Sequence, residues 1–156
     1  MIGGVSQGNN RASERIEGVK EAMAEVGLPI KEGRFVECVY DIEKAGEAFR
    51  RIWNQDTKPT AIICGIDVIA YGALFEAQKM GLRVPEDLSI TGFDDLEFSH
   101  LVNPPLTTIK VPCYEMGNMA AVKLLEAIEM NRPPQAVRID AKLMVRKSTA
   151  RPSDTI

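Results

Sequence analysis

Residues 60–93 read TAIICGIDVIAYGALFEAQKMGLRVPEDLSITGF, and the order of patterns in this stretch decides the fold. Residues 60–64 form an unbroken apolar run of strand length, the mark of a strand buried on both faces. Gly65-Ile66-Asp67 then opens a helix whose apolar positions, Ile69, Ala70, Ala73, Leu74, Ala77 and Met80, recur at three- and four-residue steps. Gly81-Leu82 closes it as a left-handed cap with an apolar follower, and Pro85 turns the chain into a second strand at 88–93. Strand, helix and strand joined by short connections form a right-handed parallel crossover.

The same alternation runs outward in both directions. Upstream, residues 1–5 are a short apolar run that stops in Gly8-Asn9-Asn10, and the helix after it carries Ile16, Val19, Met23 and Val26 on one face until Gly27 and Pro29 end it. Residues 34–40 are strand-like, and Asp41 can cap a helix with Ala45, Ala48, Phe49 and Ile52 on its apolar face. Downstream, an irregular stretch reaches Asn103-Pro104-Pro105 before a strand at 107–111. A last helix follows at about 115–130, with Met116, Ala120, Leu124, Ala127 and Ile128 on one face, and residues 136–147 alternate like one or two strands. The fold class is α/β, a doubly wound parallel sheet with helices on both faces. Residues 1–150 form the domain and 151–156 a loose tail.

With 156 residues the chain holds one domain with a real core. Its net charge of −3 and the lack of any Lys/Arg run leave no electrostatic footprint for nucleic acid, so this chain is not expected to grip DNA by itself. Cys38, Cys64 and Cys113 form no CxxC pair and there is a single histidine, His100, so neither a metal nor a cofactor is expected. The cysteines read as small buried hydrophobes in a reducing compartment, which points to the cytoplasm. No apolar run is long enough to span a bilayer, and no membrane partner is expected.

Ligands of such sheets bind beyond the carboxyl ends of the strands. That edge collects Asn9, Asn10, Arg11 and Arg15 after the first strand, Tyr40 and Asp41 after the second, Asp67 after the third, and Asp94 and Asp95 after the fourth. A guanidinium with several carboxylates suits a polar, hydroxyl-rich small molecule, because the planar fork donates and each carboxylate accepts from hydroxyls. Asp67 reads first as a helix N-cap and second as a ligand contact, the two being compatible, and Asp95 is a capping candidate too. Asp94 directly follows a strand and is harder to explain that way. Arg15 in a first helical turn opposes the helix dipole, which an anionic or hydroxylated partner would justify.

One catalytic pattern is present. Gly4-Val5-Ser6-Gln7-Gly8 fits the G-x-S-x-G elbow of hydrolases, with Asp94 and His100 following in the hydrolase order. The elbow has no earlier strands around it, and the short gap between Asp94 and His100 leaves little room for separate loops. A hydrolase is the third-ranked reading, and the chain is expected not to be an enzyme.

Read together, several stretches resemble the effector domain of the LacI/GalR transcriptional regulators. They are Ser13-Glu14-Arg15-Ile16-Glu17-Gly18, Lys58-Pro59-Thr60-Ala61-Ile62 with Gly65-Ile66-Asp67, Gly81-Leu82-Arg83-Val84-Pro85 continuing through Leu88-Ser89-Ile90, Gly92-Phe93-Asp94-Asp95, and Pro104-Pro105-Leu106-Thr107-Thr108-Ile109. The resemblance implies a periplasmic-binding-protein-like fold of which this chain is mostly one lobe. It makes Arg15 the effector-clamping arginine and Asp94 the effector-binding aspartate. Asp67 then belongs to the ligand loop, Tyr40 is the aromatic closing the second strand, and Asn9 lies in a loop of altered length. Ile66 and Cys113 depart from the amide and the aromatic that sugar-binding members often carry.

The function implied is a sugar-like effector-binding and dimerisation module, meeting operator DNA only through a helix-turn-helix head that this sequence lacks. The resemblance also assigns the helix near 115–130 to the other lobe. A solute-binding protein for transport with the same fold is the alternative. Tyr71 and Phe75, four apart on the helix after Asp67, with Leu101 and Val102, are apolar residues left over from the core face and are expected at a homodimer interface.

Overall fold

A computed structural model describes residues 1–152. The end of the tail expected to be loose, 153–156, lies outside the described residues. Strand β1 (Ile2–Gly4) leads to helix α1 (Asn10–Glu25), β2 (Val36–Cys38), α2 (Ile42–Trp53), β3 (Ala61–Ile63), α3 (Asp67–Lys79) and β4 (Ser89–Thr91). A 3-10 turn (Glu97–His100), β5 (Thr108–Lys110), α4 (Cys113–Glu129) and β6 (Lys142–Met144) complete the order.

β1 pairs in parallel with β2, and β3 with β4. Single parallel bridges, Ile2 to Cys64 and Thr91 to Thr107, join these ladders into the order β2-β1-β3-β4-β5. β6 adds to β5 in the antiparallel sense, so the alternating tail is one strand.

The main core lies under α2 and α3. Ile62 and Ile90 meet Ala45, Phe49, Ile52, Ile69, Ala73, Leu74 and Ala77 there, all fully or almost fully buried. Phe49 stacks on Trp53 with ring centroids 5.9 Å apart. The two helices approach closely because Gly72 packs against the Ile42 carbonyl and the Ala45 methyl, where a side chain would collide. α2 begins as read, with the Asp41 carboxylate accepting from the Lys44 amide at 2.8 Å. The other face is thinner. α1 buries only Ala12 and Ile16, the latter against Gly3, while Val26 is exposed and Val19 and Met23 are half-buried. The expected four-residue stripe is therefore fully covered only at Ile16 and opens progressively toward Val26. Val19 and Met23, with Arg15 before them, line an open apolar cleft of about 410 Å³ against Ile63, Phe93, Ile109 and Leu143.

α4 has no buried residue, and Leu124 and Ile128 on its apolar face are exposed, in keeping with its assignment by resemblance to the other lobe. Two further readings change. Tyr71 is no surplus outer residue, since it is 5 % exposed and its hydroxyl meets Ser99 Oγ at 2.8 Å. Cys113 is exposed, whereas Cys38 and Cys64 are buried as expected.

Candidate functional site

β1 sends its helix to one face of the sheet and β3 sends its helix to the other, so the crevice between their carboxyl ends is the topological switch point. Arg15 spans it. From the second turn of α1 its guanidinium donates to the Gly65 carbonyl at the end of β3 and lies 3.7 Å from the Phe93 ring centre at the end of β4. That contact is a cation–π arrangement, which fixes the fork and leaves the other guanidinium donors for a ligand. It also explains how a cation is tolerated near a helix N-terminus.

Asp94 follows Phe93 directly and is half-buried. Burial pushes its carboxyl above the usual aspartate range, and the Asp67 carboxylate pushes the same way, while the Arg15 and Arg11 guanidiniums pull it down. Arg15 and Asp94 thus share one rim close enough to feel each other's charge without forming an ion pair. Asp94 and Asp95 also have φ of 114° and 56°, a left-handed backbone that non-glycine residues rarely adopt. The Asp94 amide donates to the Ile109 carbonyl at 2.8 Å.

Asn9 and Tyr40 sit together on the neighbouring stretch of the rim. Asn9 caps α1, its side-chain oxygen accepting from the Ala12 amide at 3.2 Å, and its amide group donates to the Tyr40 hydroxyl at 3.4 Å. The Tyr40 ring lies across Gly4, where any side chain would strike it, and remains 48 % exposed.

Asp67 is not on the rim. It is fully buried as the first residue of α3, the N-cap position being Ile66, and its carboxylate accepts from Thr108 Oγ1 at 2.6 Å, Ser99 Oγ at 2.6 Å and the Leu96 amide at 2.8 Å. Its acceptor capacity is spent inside the chain, so both the ligand-contact and the N-cap readings are corrected. Asp95 is likewise no cap; its carboxylate pairs with Arg146 at 2.6 Å in a largely buried bridge. Phe93, Ser99, Thr108 and Arg146 escaped the sequence reading. Arg146 lies 51 positions from Asp95 and belongs to no motif, whereas Phe93 stands inside the Gly92-Phe93-Asp94-Asp95 stretch.

The Ser6 hydroxyl donates to the Glu37 carboxylate, and His100 has an exposed position on the 3-10 turn. The G-x-S-x-G serine therefore addresses a carboxylate rather than an imidazole. Among the described residues no cluster of His, Cys, Asp and Glu could hold a metal ion.

The chain is an α/β domain with a guanidinium and a carboxylate at its switch point, the edge where ligands of such sheets bind. The family model described as a periplasmic binding protein-like domain matches residues 1–149, and the chain belongs to that family. The HTH-type transcriptional repressor PurR of Yersinia pestis (strain Pestoides F) is 35 % identical over 142 residues, which is 90 % of this chain and 42 % of the repressor. A LacI family transcriptional regulator from Mycobacterium smegmatis superposes with a TM-score of 0.85 at 31 % identity, over 97 % of this chain and 57 % of its own. A sugar-binding transcriptional regulator of the LacI family from Escherichia coli, solved with phosphate, does so with a TM-score of 0.84 at 25 % identity, over 97 % of this chain and 54 % of its own. The LacI/GalR resemblance and the fold class read from the sequence both hold. The chain spans about half the length of these relatives or less.

Proposed function

We propose that this chain is the small-molecule effector-binding and dimerisation module of a LacI-type transcriptional regulator, acting in the cytoplasm and not catalytically. The observation that carries the reading is the placement of Arg15 and Asp94 at the switch point, the guanidinium held by Phe93 and Gly65 and the carboxylate raised in pKa by burial. A donor fork facing an acceptor pair suits vicinal hydroxyls, and the Tyr40 ring beside Asn9 offers a flat face for stacking. The effector is therefore sugar-like, in keeping with the sugar-binding relative from Escherichia coli. Operator DNA belongs to the whole regulator. With a net charge of −3 and no Lys/Arg run, this chain is not expected to supply the phosphate-neutralising charge such contact needs.

The proposed two-fold contact is the outer face of α3 with the stretch after the 3-10 turn. Phe75 and Leu101 are exposed there, and Val102 is partly buried against the core. Tyr71 lies behind them and supports that face without reaching a partner.

Titration with a panel of mono- and disaccharides, read by amide chemical shifts, tests the binding role. Weak, saturable shifts at millimolar sugar are expected, because a single lobe encloses only one side of a ligand. Arg15→Ala and Asp94→Asn should each abolish them without unfolding the chain. Shifts that survive both substitutions would refute the proposal.

A further inference from the structure

We infer that Asp67 is the positioning residue of this site, clamping both ends of residues 93–96 so that Asp94 is held at the rim in a left-handed backbone. The Asp67 amide donates to the Phe93 carbonyl at 2.9 Å, and its carboxylate accepts from the Leu96 amide at 2.8 Å. One residue thus fastens the segment before and after its two inner positions, Asp94 and Asp95, whose φ values are both positive. Left-handed φ at consecutive non-glycine residues persists only where the surroundings over-determine it. Two more bonds fix the clamp itself, from Ser99 Oγ on the 3-10 turn and Thr108 Oγ1 on β5, and Tyr71 backs Ser99 from α3.

The glycine before the segment fits the same account. A side chain at Gly92 would run into Asp67 Oδ1, so the position stays open to let the carboxylate pass beneath the strand end. The buried carboxylate therefore acts through the loop, and of the two carboxylates only Asp94 faces the ligand beside Arg15. The inference rests on the proposed effector role of Asp94, but its geometric content does not require a ligand to be present.

The test uses the full chain, isotope-labelled and without sugar. Strong intraresidue Hα–HN contacts and one-bond Cα–Hα couplings report positive φ at Asp94 and Asp95. The parent chain should show both signatures. In D67N an NH2 group replaces one acceptor, and both signatures should be lost while the core resonances stay dispersed. R146M, which removes the ion pair to Asp95, should keep the Asp94 signature. If D67N does not fold, S99A and T108V each remove one donor and should each weaken the signatures. A folded D67N that retains positive φ at both residues would overturn the inference, as would unchanged signatures in both S99A and T108V. Because no sugar enters this experiment, its failure is distinguishable from failure of the effector-binding reading, which the titration decides.

Discussion

Asp95 and Arg146 meet at 2.6 Å with their side chains only 11 % and 17 % exposed, and Arg146 also donates to the Leu106 carbonyl at 2.8 Å. Removing one member of such a pair strands the other charge in a poorly solvated place. R146M is expected to cost about 3 kcal/mol in chemical denaturation. A loss near zero would mean that water reaches Asp95 freely. Asp94 should behave in the opposite way. Its pKa is raised in the fold, so its contribution to stability is fully present below the unfolded pKa and is lost as pH rises through the folded one. At neutral pH the ionised carboxylate is a liability, and D94N is expected to raise the thermal midpoint there, with the gain vanishing at acid pH. Parent and variant midpoints measured across that range check the sign. A residue that weakens the fold while standing at the rim fits a binding role better than a structural one. At Cys64 burial pushes the thiol up to about 12. A thiol reagent at mildly alkaline pH should therefore label Cys113 quickly and Cys64 only on unfolding, as the rate per site would show.

Among the elements, the α2–α3 layer carries the core. Phe49 is fully buried and stacked on Trp53, so Phe49→Ala is expected to lose about 3–5 kcal/mol in equilibrium denaturation. Much of this layer was legible in the sequence, because helical spacing marked Ala45, Phe49, Ile52, Ile69 and Leu74 before any contact was known, and strand position put Arg15 and Asp94 at the carboxyl edge. Other parts were not legible for physical reasons. Periodicity shows which face of a helix is apolar but not whether anything covers it, hence the partly uncovered stripe of α1. Tyr71 is both large and amphipathic, and its burial depends on a hydroxyl partner 28 positions away, Ser99. An aspartate after a strand has the same local signature whether its carboxylate points to a ligand, as proposed for Asp94, or inward, as at Asp67.

The whole molecule exposes more surface than its mass predicts. Its accessible area is 10,339 Å², against roughly 7,800 Å² for a folded monomer of this size. α4 and the cleft beneath α1 account for part of the excess, and the Phe75–Leu101 face adds to it. Light scattering is expected to show a dimer, and F75E with L101E should shift it to monomer while leaving the fold intact. A monomeric parent chain would remove the proposed two-fold contact. The central claim, that a sugar-like ligand binds across the switch point, is tested most directly by mapping amide shifts during a sugar titration of the parent chain. The account predicts that the perturbed residues cluster at 6–10, 40, 65–66 and 93–95, with the largest changes beside Arg15 and Asp94. Saturable shifts confined to residues outside that rim, with none beside Arg15 and Asp94, would contradict it.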